Sequence, residues 1–264
     1  MIPLPEALPL IEGFARARLA AATAPLVIGL CGAQGSGKST IAAALAEHIQ
    51  GTVVLSLDDL YLPKAQRERL AEVVHPLLKT RGVPGTHDVA LGEAVLADLR
   101  AGRPVALPRF DKAIDDRLPQ SAWPRVEGAR LVIFEGWCVG ARPQPDAALK
   151  GPVNALEDEE DPDEIWRRHV NDALRDHYSR VFDLDALVLL AAPGFEVVYQ
   201  WRLQQERALA TDIAAGRRAG RAMGDDEVLR FIQFYQRLTQ HILREMPGRA
   251  DLVVRLDANR RVIS

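Results

Sequence analysis

A chain of 264 residues with 48% hydrophobic content is long enough to bury one substantial core, and its formal charge of −3 provides no general attraction for nucleic acid. Pro, Gly or a charged residue interrupts every apolar stretch before it reaches the ~18 residues that cross a bilayer, and the N-terminus lacks the basic start and long apolar segment of an export signal. Cys31 and Cys138 each end an apolar run and read as buried thiols rather than a metal pair or disulfide, so a soluble, cytoplasmic, single-domain protein acting on a small molecule is expected.

Residues 8–22 place Leu8, Ile11, Phe14, Ala15 and Leu19 on one helical face, making residues 1–25 a lead-in segment whose helix packs on the domain. The apolar run 26–31 reads as a buried strand and residues 40–48 as a helix rich in strong helix formers. Between them Gly32, Ala33, Gln34, Gly35, Ser36, Gly37, Lys38 and Ser39 fit the phosphate-loop pattern G-x-x-x-x-G-K-[ST]. The chain must turn sharply there, and glycines at Gly32, Gly35 and Gly37 tolerate the positive φ that aims consecutive backbone N–H groups inward. Those amides, at the positive end of a helix that continues through Thr40, would cradle the phosphates of ATP; Lys38 would reach the β and γ phosphates and Ser39 would ligate Mg²⁺.

The next strand, 52–57, runs into Asp58-Asp59-Leu60-Tyr61. A strand-end carboxylate facing the phosphate loop can accept the proton of an acceptor hydroxyl or orient Mg²⁺ through water; Asp59 is alternatively a cap for the following helix. Residues 62–110 carry Pro63, Pro76, Pro84, Pro104 and Pro108 with one clear helix, 89–100, and read as a surface excursion. The apolar strand 131–134 delivers Glu135 in the Walker B position, where an acid holds the metal, and Gly136 leaves room for a phosphate or acceptor. Residues 142–164 open on prolines and end in the acidic run 157–161, predicting a solvated loop whose spacing is wrong for a calcium-binding EF-hand.

Strands at 186–191 and 252–256 complete an alternation of strands and helices that predicts an α/β, doubly wound, mainly parallel sheet with its reactive loops at the carboxyl ends of the strands. Between those two strands, Arg202 and Arg207 fall on a helix, and Arg217, Arg218 and Arg221 fall among Gly216, Gly220 and Gly224. Arginines on such a hinged cover, residues 195–224, can close over ATP as a lid and neutralise the transferring phosphoryl group.

The phosphate loop, Asp58-Asp59-Leu60-Tyr61 and Phe134-Glu135-Gly136, in this order, resemble the superfamily of phosphoribulokinase, uridine kinase and pantothenate kinase. Residues 75–88 (HPLLKTRGVPGTHD), 108–112 (PRFDK) and 152–157 (PVNALE) resemble the plant-type D-glycerate 3-kinases more closely, and the likeness runs from about residue 26 to residue 263. The resemblance implies a P-loop kinase fold using ATP and Mg²⁺, with Asp58 as base (Leu60 stands where that element usually has Phe), Glu135 as metal-binding acid and Arg202 as the lid arginine. It also implies that residues 62–112 form an acceptor-site insertion in which the 81–88 loop and the 110–112 turn line the pocket. A small carboxylate acceptor calls for cationic donors such as Arg81, His87, Lys112 or Arg117 beside the reacting hydroxyl, with Asp59 and Tyr61 adjoining the base. A kinase for a nucleoside or a pantothenate-like metabolite, or an ATP-binding module that transfers no phosphate to a small molecule, stays open on the same residues.

Overall fold

The structure, a computed structural model, describes residues 6–217 and 221–263; Arg218 and Gly220 of the expected lid lie outside the described residues. In chain order, α1 (Leu8–Ala21) leads into β1 (Leu26–Gly32), α2 (Lys38–His48), β2 (Thr52–Ser56), α3 (Lys64–Val73) and α4 (Val89–Arg100). Four two-residue strands follow, β3 (Val105–Ala106), β4 (Phe110–Asp111), β5 (Asp116–Arg117) and β6 (Arg125–Val126), then β7 (Leu131–Gly136), α5 (Ala155–Glu160) and α6 (Ile165–Val181). The chain closes with β8 (Ala186–Ala191), α7 (Glu196–Ala214), α8 (Asp225–Glu245), β9 (Leu252–Leu256) and β10 (Val262–Ile263).

The main sheet runs β10-β9-β8-β1-β7-β2. Its pairs are parallel except β9–β10, and helices cover both faces, which is why β1, β7 and β8 are buried along their length rather than alternating. Val27, Cys31, Leu55, Val132, Phe134 and Leu189 face a core completed by α4, α6 and α8. Ile28, Leu30, Ile133, Val188 and Leu190 face α1, α2 and Trp201 of α7. The mainly parallel α/β architecture is therefore as predicted, and α1 buries Leu8, Ile11 and Ala15. Both cysteines are buried free thiols. Among the described residues no helix is long and apolar enough to cross a membrane.

Three expectations about the excursion after residue 62 need correction. The excursion after residue 62 contains a second helix, α3, whose flanking Pro63 and Pro76 bracket it instead of breaking it. Arg67 is its only buried residue, so it has no apolar stripe for periodicity to detect. Helix α4, capped by Asp88 through Leu91 N (3.1 Å), sends Val95, Leu96 and Leu99 into the main core, so this half of the excursion is interior. The excursion's pairing also runs past residue 112, through the β4–β5 hairpin and the β3–β6 pair to Val126.

The acidic run departs furthest from the solvated loop expected of it. Asn154 caps α5 by accepting from Glu157 N, and Glu157, with no exposed surface, receives two hydrogen bonds from Arg237 of α8 at 2.8 and 2.6 Å. Asp161 is also buried; it accepts from the N–H groups of Trp166 and Arg167 at the start of α6, where four amides have no intrahelical partner, and pairs with the Arg167 guanidinium. Charge that looked unbalanced along the chain is balanced across it.

Candidate active site

The phosphate loop joins the carboxyl end of β1 to α2, and Gly35 (φ 78°) and Gly37 (φ 94°) occupy the left-handed region as its sharp turn requires. Gly32 does not. It ends β1, and a Cβ there would lie 2.7 Å from Ser36 Oγ and 3.0 Å from Leu190 Cβ, so close packing excludes a side chain where positive φ was expected. Ser36 Oγ and Gln34 Oε1 are buried without a partner among the described residues, as expected of polar atoms lining a loop built for a polar ligand. The loop leans on distant chain: Arg260 Nε donates to Gly35 O (2.5 Å), and the Arg260 guanidinium lies 5.1 Å from the centre of the buried Trp201 ring. A Cβ on Gly35 would come 2.7 Å from Trp201 Cβ. Gly35→Ala therefore combines a left-handed backbone with a clash, and a loss of about 1–3 kcal/mol in urea unfolding is expected; an unchanged midpoint would show that the turn relaxes freely.

The register of the sheet assembles the second element. Leu30 of β1 and Ser56 of β2 both pair with Glu135 of β7, so Glu135 sits between the phosphate loop and the Asp58 turn. Its Oε1 accepts from Ser39 Oγ and Ser56 Oγ, each at 3.0 Å. Burial raises the Glu135 pKa, against the pull of nearby Lys38 and the two hydroxyls. Hydroxyl and carboxylate oxygens, few in number and next to a phosphate cradle, form the hard donor set that suits Mg²⁺. Ser56 went unnoticed in the sequence, although its place two residues before Asp58 at a strand end was the available signal. Gly136 leaves no room for a ligand: a Cβ would meet Leu57 Cβ at 2.6 Å and Val139 Cγ2 at 2.9 Å, so the missing side chain serves packing.

Asp58 and Asp59 lie in a 3₁₀ turn (Leu57–Leu60) after β2, and the turn sends them to different tasks. Asp58 accepts from Tyr61 Oη at 2.7 Å and from Lys112 Nζ at 2.6 Å. Burial opposes its ionisation, but the Lys112 charge, the two hydrogen bonds and Lys38 outweigh burial and hold the carboxyl below the usual carboxylate range. Asp59 accepts from Phe110 N (3.0 Å) and Arg109 Nη1 (3.1 Å), anchoring the 108–112 turn; it does not cap α3, whose Lys64 N donates to Asp116 instead.

The remaining predicted acceptor residues converge on the same hairpin. Arg81 pairs with Asp115 and lies 5.5 Å from the Phe110 ring centre, and buried Arg67 reaches the Asp115 carbonyl (2.7 Å). Arg117 bridges Asp88 (2.9 Å) and the Tyr61 carbonyl (2.8 Å), a brace between loops. His87 is buried, stacked on Tyr61 at 4.8 Å, and burial lowers its pKa to about 4, so it is neutral rather than the cationic donor expected. Of the predicted cations, Lys112 on Asp58 and Arg81 on Asp115 remain partly exposed.

On α7, Arg202 pairs with Glu206 and lies 5.1 Å from the Phe231 ring centre. Glu206 is buried and also accepts from Met223 N (2.9 Å), tying Arg202 to the far end of the expected lid. Arg207, Arg217 and Arg221 make ion pairs on the surface with Asp225, Asp212 and Glu227. Tyr235 of α8 is buried, and burial, with the nearby Asp58 charge, raises the pKa of its hydroxyl.

No protein-family model matches the chain. It is 36% identical over 226 residues to an uncharacterized kinase of Schizosaccharomyces pombe, a match that covers 80% of this chain and 78% of that protein. It is 33% identical over 226 residues to the chloroplastic D-glycerate 3-kinase of Arabidopsis thaliana, covering 80% of this chain but 46% of the plant protein, so it spans less than half of that relative. The structure of D-glycerate 3-kinase from Cryptococcus neoformans matches it with a TM-score of 0.78 at 26% identity, covering 97% of each chain.

Proposed function

The chain belongs to the family of ATP-dependent P-loop kinases that includes D-glycerate 3-kinase, and on that premise we propose that it transfers the γ-phosphoryl group of ATP to a hydroxyl of D-glycerate. The observation that carries this reading is the Lys112–Asp58 pair. A half-exposed ammonium rests on the carboxylate that would serve the reacting hydroxyl, with Arg81 paired to Asp115 at the tip of the same hairpin. A small hydroxy acid can place its own carboxylate on those cations and its hydroxyl on Asp58.

Each remaining part has a role in that transfer. The loop amides of residues 32–40 and Lys38 would hold the β and γ phosphates. Ser39 and Glu135 would hold Mg²⁺, which supplies neutralising charge to the phosphates when bound; Asp58, with both carboxylate oxygens engaged by Tyr61 and Lys112, is assigned to the hydroxyl rather than the metal. Phosphoryl transfer with a loose transition state deprotonates its nucleophile late, so Asp58, ionised at the outset, would orient the hydroxyl and accept its proton as transfer completes. Arg202, delivered by closure of the 195–224 lid, would neutralise charge on the transferring group. A cytoplasmic setting is in keeping with the two free thiols.

The test is ATP turnover with a panel of D-glycerate, L-glycerate, other small hydroxy acids, pantothenate and nucleosides. Stimulation greatest with D-glycerate is the expected result. Greater stimulation by a nucleoside or by pantothenate would transfer the assignment to that acceptor, and ATP binding with no stimulation by any of them would leave a nucleotide-binding module.

A further inference from the structure

His87 carries a buried nitrogen that the roles above leave idle. Its ring stacks on Tyr61, the residue that donates to Asp58, with centroids 4.8 Å apart and planes inclined by 24°. Tyr61 and His87 also form an isolated antiparallel bridge, so backbone and rings are held together. The Nδ1 edge faces Tyr178 of α6, whose hydroxyl oxygen lies 2.7 Å away. That hydroxyl accepts a hydrogen bond from Gly85 N at 3.0 Å. Nε2 has no partner among the described residues, and the residue is 5% exposed.

The proton positions follow from these contacts. The Tyr178 oxygen accepts from the Gly85 amide, and its own proton finds an acceptor in His87 Nδ1 when the ring is protonated on Nε2. In that arrangement every hydroxyl and amide proton of the Gly85–Tyr178–His87 chain has an acceptor, and the single proton of the neutral ring stands on Nε2. Burial keeps the ring neutral. A buried N–H without an acceptor is costly and is retained where a ligand supplies the acceptor. The setting favours a neutral donor: an imidazolium here would add a positive charge near Asp58, which already bears Lys112, and would weaken it further as a proton acceptor.

We propose that Tyr178 is a positioning residue that fixes His87 as the Nε2–H tautomer, and that this N–H is the hydrogen-bond donor for an oxygen of the acceptor substrate. The proposal rests on the small-molecule kinase reading of the cleft, not on the identity of the acceptor. Tyr178, on α6 and 91 positions from His87, acts through the histidine without touching substrate.

Two measurements test it. Long-range ¹H–¹⁵N spectra of the substrate-free protein at neutral pH, with the His87 signals assigned by their loss in His87→Gln, should show a neutral ring protonated on Nε2. In Tyr178→Phe the ring should shift toward the Nδ1–H form. A wild-type ring protonated on Nδ1, or doubly protonated, overturns the proposal, and this reading needs neither substrate nor a folded Tyr178 variant. In steady-state assays with whichever acceptor best stimulates ATP turnover, His87→Leu should raise the acceptor KM about 3- to 10-fold, the loss of one neutral hydrogen bond, and leave the KM for ATP unchanged. His87→Gln, which returns an N–H, should lie closer to wild type. Equal effects of Leu and Gln, or an acceptor KM that does not move, overturn the donor role. Failure of D-glycerate as acceptor leaves the tautomer result standing, so the two readings fall separately.

Discussion

Asp58→Asn should lower kcat by about 10²–10⁴-fold, the range for loss of a positioned proton acceptor, with the KM for ATP nearly unchanged. Asn keeps the size of the side chain and an oxygen for the Tyr61 hydroxyl, but it cannot take a proton and no longer offers Lys112 an opposite charge. The donor half should be unaffected, because its contacts come from the loop amides, Lys38 and the pair formed by Ser39 of α2 and Glu135 of β7. Lys38→Ala is the contrasting variant: it should cut kcat and also raise the KM for ATP, since the lysine serves phosphate in both ground and transition states. Steady-state kinetics beside circular dichroism would settle the matter; a near-normal kcat for Asp58→Asn would remove the residue from the chemistry.

The second large effect is on stability. Glu157→Ala leaves the Arg237 guanidinium, 8% exposed, without its anion while Ala148 O (2.7 Å) and Gly151 O (2.7 Å) still hold it in place. Breaking one partner of a buried, doubly hydrogen-bonded pair costs about 3–5 kcal/mol, a large part of the roughly 5–15 kcal/mol that holds an ordinary domain together. Urea unfolding of Glu157→Ala against wild type gives the number. A change below about 1 kcal/mol, the value of a surface pair, would mean that water reaches the site. Replacing both residues by apolar ones should recover part of the loss, because the surviving charge is then gone too.

The two cases differ in how visible they were in the sequence. The donor half was legible because it is local: β1, the loop and α2 are contiguous, and spacing alone places Lys38 and Ser39 at the head of a helix. Glu135 was legible from four apolar residues before an acid. Glu157 was not, since its partner lies 80 positions away and the residues beside it are also acidic. Local charge density reads as solvation unless the opposite charge is known to return to the same place. The acceptor half falls between these extremes. Sequence reasoning named Arg81, His87, Lys112 and Arg117, and the structure brings them to one hairpin and its supporting loops. Their charges and partners depend on contacts across the fold: Asp115 takes Arg81, Asp88 takes Arg117, and burial deprives His87 of its charge. Gly32 and Gly136 carry the same lesson, since a glycine needed for a turn and one needed for packing are the same letter.

The contact between Arg260 and the Gly35 carbonyl spans 225 positions. A ribosome adding about 5–20 residues per second therefore takes roughly 10–45 s after making the loop to deliver the arginine that braces it. Through that interval the phosphate-binding motif has been made without its brace; Trp201 of α7 follows Gly35 by 166 positions, and the guanidinium that covers it by 225. The brace on the phosphate loop is thus among the later contacts the chain can make, after the 57–117 elements and α7 have been synthesised.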